Sequence, residues 1–140
     1  MIALDTNVVS ELMRPRPDPG VLAWADAQRA SELRLTAVTV AEILFGIRRL
    51  PPGRRRDDLA AAFDGLRRVE FADRILPFDD HAAEHYATVV ALREAEGPPI
   101  STADAQIAAI CRLHGAALAT RNTADFAHCG MAVVNPWARG

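Results

Sequence analysis

The N-terminal run MIALDTNVVSEL sets the pattern for the chain: a short apolar stretch, a polar interruption, then apolar residues at helical spacing. Ile2, Ala3 and Leu4 read as a strand buried on both faces, as at the centre of a parallel sheet. Asp5-Thr6-Asn7 breaks the run, and Val8, Val9 and Leu12 resume it as one face of a helix. Residues 14–20, rich in proline, are expected to be a stiff connector with no helix inside, after which Val21, Leu22, Trp24 and Ala25 open a second helix. Residues 33–37 read as strand. Thr39 begins a helix with Val40, Ile43, Leu44, Ile47 and Leu50 on one face, and Pro51-Pro52-Gly53 stops it. Residues 54–69 form another amphipathic helix, 75–78 a short strand, and 79–96 a helix ended by Gly97-Pro98-Pro99. A helix over 101–114 closed by Gly115, a buried strand over 116–120, a helical turn at 123–126 and a last strand over 131–134 complete the chain. Strands alternating with helices predict a three-layer α/β domain, a parallel sheet covered on both faces.

At 140 residues the chain is expected to form one domain spanning 1–140. No charged leader precedes the first strand and no apolar stretch is long enough for a bilayer, so a cytoplasmic protein without a membrane partner is expected. Cys111 and Cys129 make no C-x-x-C pair and read as buried thiols in a reducing compartment. The net charge of −2 offers no general attraction for polyanions, yet all 16 basic residues are arginine. Without lysine, a Walker-type phosphate loop and Schiff-base chemistry are both excluded. Phosphate contact would fall to guanidinium groups, backbone N–H groups or metal. A nucleotide-composition bias toward arginine accounts for the absence of lysine without invoking RNA.

In a parallel sheet, ligands bind beyond the carboxyl ends of the strands. Asp5 ends the first strand, Glu42 lies in the first turn of the helix after the second, and Asp125 follows the exit of the strand over 116–120. Asp104 opens the helix leading into that strand, where it can meet the other three. Thr39-x-x-Glu42 spells a capping box, and Ser101-x-x-Asp104 and Asn122-x-x-Asp125 resemble one, so each acid singly has a structural explanation worth about 1 kcal/mol. Capping does not account for an aspartate that ends a strand, nor for the gathering of acids at strand exits. Carboxylates brought together repel unless a cation joins them. Oxygen-only ligands favour Mg²⁺ or Mn²⁺ over zinc, and such a site suits phosphodiester hydrolysis.

The segments MIALDTNVVSE, TAVTVAEILFG, STADAQIAA and ATRNTADF, in this order and spacing, resemble the motifs of PIN-domain ribonucleases. The likeness is to VapC-type toxins and, through the Asn135-Pro136-Trp137 ending, to FitB-like proteins among them. It covers essentially the whole chain. It implies a parallel five-stranded sheet, a metal-dependent endoribonuclease acting on RNA, a homodimer, and inhibition by a cognate VapB-type antitoxin. The acidic quartet of that family carries over to Asp5, Glu42, Asp104 and Asp125 as metal ligands, with Glu42 or Asp125 the candidate to position the attacking water. The fourth acid of PIN domains sits directly after the last core strand or a few residues later; Asn122 occupies the first place and Asp125 the second. Thr6, Asn7, Thr120 and Asn122 would orient the carboxylates. A PIN fold with its fourth acid misplaced would instead be a catalytically weak module binding RNA or antitoxin.

His81-Ala82-Ala83-Glu84-His85 spells H-x-x-E-H, the inverted zincin pattern, and makes a zinc hydrolase the remote alternative. Its histidines flank the apolar stripe of Ala82, Tyr86, Val89 and Val90, and no third ligand is spaced for zinc. Arg48, Arg49, Arg54, Arg55 and Arg56 flank the Pro51-Pro52-Gly53 turn. They are candidate contacts for RNA phosphates or antitoxin, as is Arg121, and equally a solvated helix end beside Asp57 and Asp58. Trp24 and Trp137 either stack on bases or pack.

Overall fold

The computed structural model of the chain describes residues 1–138. Strand β1 (Ile2–Leu4) is central in a parallel sheet of order β3-β2-β1-β4-β5, flanked by β2 (Leu33–Thr36) and β4 (Ala117–Ala119), with β3 (Ile75–Leu76) and β5 (Val133–Val134) at the edges. The three-layer arrangement follows from the pleat, which sends successive side chains to opposite faces. Ala3 and Leu118 pack into one cluster with Val89, Ile107, Cys111 and Phe126. Leu4 and Ala119, one residue on and in register with each other, pack into another with Val8, Val9, Leu35 and Phe63. The sheet is thus apolar on both faces, as the opening Ile-Ala-Leu predicts.

Helix α1 (Thr6–Leu12) follows β1 after the single residue Asp5, which caps it. Helix α2 (Pro19–Ala27) starts inside the segment expected to contain no helix. Pro19 takes the first helical position, where its missing N–H is not needed, and the Asp18 carboxylate accepts from the N–H groups of Gly20 and Val21. Helix α3 (Ala37–Arg48) also starts earlier than expected, at Ala37 rather than Thr39. Its cap is Thr36, the last residue of β2, whose Oγ1 accepts from the Thr39 N–H at 3.1 Å. Thr39 therefore lies within the first turn, the Thr39–Glu42 capping box does not form, and Glu42 sits in the second turn. Helix α4 (Arg54–Gly65) gives way to a π-turn over Leu66–Glu70 where one regular helix was expected.

Helices α5 (Asp80–Glu96) and α6 (Thr102–His114) form a hairpin over the face that holds Ala3. Gly115 ends α6 in the left-handed conformation, φ 63°, and lets the chain turn directly into β4. A 3-10 turn, Thr123–Phe126, lies between β4 and β5. Among the described residues, no helix is long and apolar enough to cross a membrane.

Candidate acidic active site

The exits of β1 and β4 lie side by side, since the Asp5 N–H donates to the carbonyl of Ala119 at 2.9 Å. Asp5 is 5 % exposed, and its carboxylate is held on several sides. Oδ1 accepts from the Thr6 N–H at 2.9 Å, so Asp5 is a helix cap after all, contrary to the expectation that capping leaves it unexplained. Oδ2 accepts from the hydroxyl of Thr120 at 2.7 Å and from Asn7 Nδ2 at 3.4 Å. Thr120 Oγ1 in turn accepts from Asn7 Nδ2 at 3.3 Å and from the Asn122 N–H at 3.1 Å. Asn7, Thr120 and Asn122 thus form one hydrogen-bonded collar around Asp5.

Thr6 joins this collar to α3. Its N–H serves Asp5 while its hydroxyl donates to Glu42 Oε1 at 2.7 Å. Glu42 is exposed and its carboxylate is turned across to α1. Asp104 stands in the first turn of α6, where Ser101 Oγ accepts from its N–H at 3.2 Å, so this helix start is capped as its sequence suggests. Burial raises the pKa of the Asp104 carboxyl above its ordinary value, and the negative charges of Asp5, Asp125 and Glu42 push the same way. The Ser101 hydroxyl opposes them. Three acids from three other elements therefore lie within electrostatic reach of Asp104. Asp125 is exposed on the 3-10 turn, and Asn122 makes no side-chain cap there, so the third capping signature is not realised.

None of these four carboxylates appears in an ion pair among the described residues. Their donor chemistry is all oxygen and mutually repelling, with no ion pair among the described residues to offset it, which fits a hard divalent ion. No three His, Cys, Asp or Glu side chains among the described residues are already gathered tightly enough to cage an ion. Mg²⁺ keeps several of its waters and commonly uses one or two protein carboxylates, so a loose acidic rim suits it better than a closed cage would.

Arg93 was not among the expected site residues. It is 3 % exposed near the end of α5, and it donates to the carbonyls of Asp125 at 2.5 Å, Pro98 at 2.9 Å, Ala127 at 3.3 Å and Pro99 at 3.4 Å. It ties the Asp125 turn to the loop between α5 and α6. The signal was present in the sequence: Arg93 lies four residues after Val89, on the apolar stripe. The zinc pattern fares differently. His81 and Glu84 are exposed and His85 half-buried along α5, with Ala82 buried beneath them. The arginines flanking Pro51-Pro52-Gly53 are exposed except Arg56, and Arg54 and Arg55 rim an apolar groove of about 770 Å³ that Thr6, Glu42, Ile43, Ile47 and Leu59 also line.

A family model described as "PIN domain" matches residues 2–130. The chain is 44 % identical to a VapC ribonuclease of Sinorhizobium fredii, Y4jK, over 98 % of both chains. It is 40 % identical to toxin FitB of Neisseria gonorrhoeae, over 98 % of this chain and 99 % of that one. The solved structure of FitAB bound to a DNA fragment contains a chain that superposes with a TM-score of 0.94 at 39 % identity, covering 100 % of this chain and 98 % of that one.

Proposed function

Since the chain belongs to the PIN-domain family, we propose that it is the toxin of a type II toxin–antitoxin module and cuts RNA by divalent-metal-assisted hydrolysis. The observation that supports the chemistry is a rim of carboxylates from separate elements, none of them in an ion pair among the described residues: Thr6 bridges Asp5 to Glu42, and the charges of Asp5, Asp125 and Glu42 bear on Asp104. Similarity to a VapC ribonuclease and to a FitB toxin supports the substrate class and the toxin role. In this reading Asp5, Glu42, Asp104 and Asp125 hold Mg²⁺ or Mn²⁺, and residues 1–140 make one such domain in the cytoplasm.

A bound Mg²⁺ or Mn²⁺ would offset the carboxylate charge and polarise the scissile phosphate. The chain's own groups do the rest. Asp5 is immobilised by Thr6, Asn7 and Thr120, so its charge is fixed before substrate arrives. In this reading Glu42 or Asp125, both exposed, positions the attacking water. Arg93 holds the backbone of the Asp125 turn. An antitoxin of VapB type would use the apolar groove between α1, α3 and α4, whose arginine rim suits an acidic or polar partner edge. Phe45, 63 % exposed on α3, and its neighbour Leu44 offer apolar surface for the expected homodimer.

The reading is tested by incubating purified protein with RNA in Mg²⁺, Mn²⁺ or EDTA, beside Asp5→Asn and Asp104→Asn. Cleavage should need the metal and should fall by at least about a hundredfold in either variant, as expected for loss of a metal-binding charge. Folded variants that cut at the wild-type rate would end the proposal. The place of the fourth acid, with Asn122 at the earlier position and Asp125 exposed on the 3-10 turn that follows, favours a second reading, a PIN module that binds RNA or antitoxin and cleaves weakly. Metal-independent binding without metal-dependent cutting would select it.

A further inference from the structure

We propose that the shallow depression beside the acidic rim, lined by Arg121, Trp137, Arg14 and Arg16, binds the RNA backbone at a phosphate flanking the scissile one. This subsite rests on the ribonuclease reading for its substrate but on different residues for its evidence. The depression has a volume of about 430 Å³, and Glu11 and Asp18 complete its polar lining. Arg121 is anchored to the site, because it follows Thr120 directly and its N–H donates to Asn7 Oδ1 at 3.1 Å. The same Asn7 reaches Asp5 through Nδ2. A strand held at Arg121 is therefore held next to the carboxylates.

The cation is also pre-organised. The Arg121 guanidinium carbon stands 5.0 Å over the Trp137 ring, and that ring packs against the apolar cluster of Leu4, Val8 and Leu35. The Trp137 N–H donates to Asn135 Oδ1 at 2.9 Å, which fixes the Asn135-Pro136-Trp137 turn that carries it. Both acids of the depression are already engaged. Glu11 accepts from Arg14 at 3.3 Å and from the Asp18 N–H at 3.0 Å, while Asp18 caps α2. Arg16 and Arg121 take part in none of the ion pairs among the described residues and present unspent charge to an anion. Arg14 also lines the groove that holds Thr6, Glu42, Arg54 and Arg55, so cationic surface runs past the acids. A polyanion needs such flanks to approach four like-charged carboxylates. The polar, arginine-rich lining favours RNA over a protein partner, for which the apolar groove is better suited.

Of the two tryptophans in the chain, Trp24→Phe leaves Trp137 as the sole reporter. In EDTA, titration with a short single-stranded RNA should quench Trp137 emission saturably and less strongly as salt rises. Arg121→Ala should weaken that binding roughly tenfold, the loss of one charge-assisted contact, and Arg121→Lys should recover part of it. In Mn²⁺ the Arg121→Ala change should raise KM for RNA with kcat largely kept. Unquenched emission, or equal RNA affinity with and without Arg121, overturns the subsite. Quenching by an acidic polyglutamate peptide but not by RNA overturns it in favour of a protein partner. If Trp24→Phe does not fold, anisotropy of labelled RNA on Arg121→Ala and Arg16→Ala in the otherwise unaltered chain gives the same decision. Wild type that binds RNA through Arg121 yet never cuts it would sink the ribonuclease reading and leave the subsite standing. Cutting that is indifferent to Arg121 does the reverse.

Discussion

Asp5 serves the fold and the proposed chemistry with the same two oxygens, so substitutions there separate by how much hydrogen bonding they keep. Asn is a good helix cap and Ala is not. Asp5→Ala should cost about 1–3 kcal/mol, the lost cap plus a stranded Thr120 hydroxyl, and Asp5→Asn distinctly less, read from urea denaturation. Asp104 behaves oppositely. Its carboxyl, raised by burial and then by Asp5, binds a proton more tightly folded than unfolded. Its contribution is thus fully present below the ordinary aspartate range, about 4, and is lost as pH rises through the folded value. In EDTA, Asp104→Asn should therefore melt above wild type at neutral pH, with the gap closing as pH falls toward that range. Cys111, pushed up to about 12 by burial and then by the Asp5 charge, is a protonated thiol at neutral pH. Alkylation of Cys111 by iodoacetamide should follow global unfolding, and rapid labelling of native protein would contradict its burial.

Among the elements, what was legible in the sequence is what depends on neighbours along the chain. The apolar period located the five strands and the six α-helices but not the 3-10 helix Ala30–Glu32, and the acids stood out because strand exits are where a parallel sheet gathers its polar residues. Starts were misplaced where one side chain outranks the period: Pro19 fits a first turn, and Thr36 caps α3 three residues before the Thr39 N–H it serves. The Glu42–Thr6 and Arg93–Asp125 contacts join residues 36 and 32 positions apart, which no local pattern encodes. Arg93→Met should keep the bulk but strand several carbonyls, lowering stability by about 2–4 kcal/mol and loosening the Asp125 turn. Faster hydrogen exchange of the Ala127 amide, with α1 amides unchanged, would show that loosening. Gly130, at φ 78°, is a second point of close approach: a Cβ there would lie 1.8 Å from Arg112 Nη1. Gly130→Ala should destabilise by roughly 1–3 kcal/mol through strain and displacement of Arg112 from the Cys129 carbonyl.

Over the whole molecule, repulsion among the acids and stabilisation by a bound ion are two sides of one equilibrium. Millimolar Mn²⁺ should raise the melting temperature of wild type, and the rise should shrink in Asp104→Asn; no shift at all would count against an ion at this rim. The sheet has a further consequence. Its outer strands pair over two residues each, Leu35↔Ile75 with Thr36↔Leu76 on one side and Leu118↔Val133 with Ala119↔Val134 on the other. An incoming chain seeking to extend the ladder would find too few free backbone groups to grip, which also spares the protein the runaway stacking that long open margins invite. Whatever associates with it, a second copy or an inhibitor, must recognise side chains on the helical layers, and its affinity is therefore open to tuning one surface residue at a time.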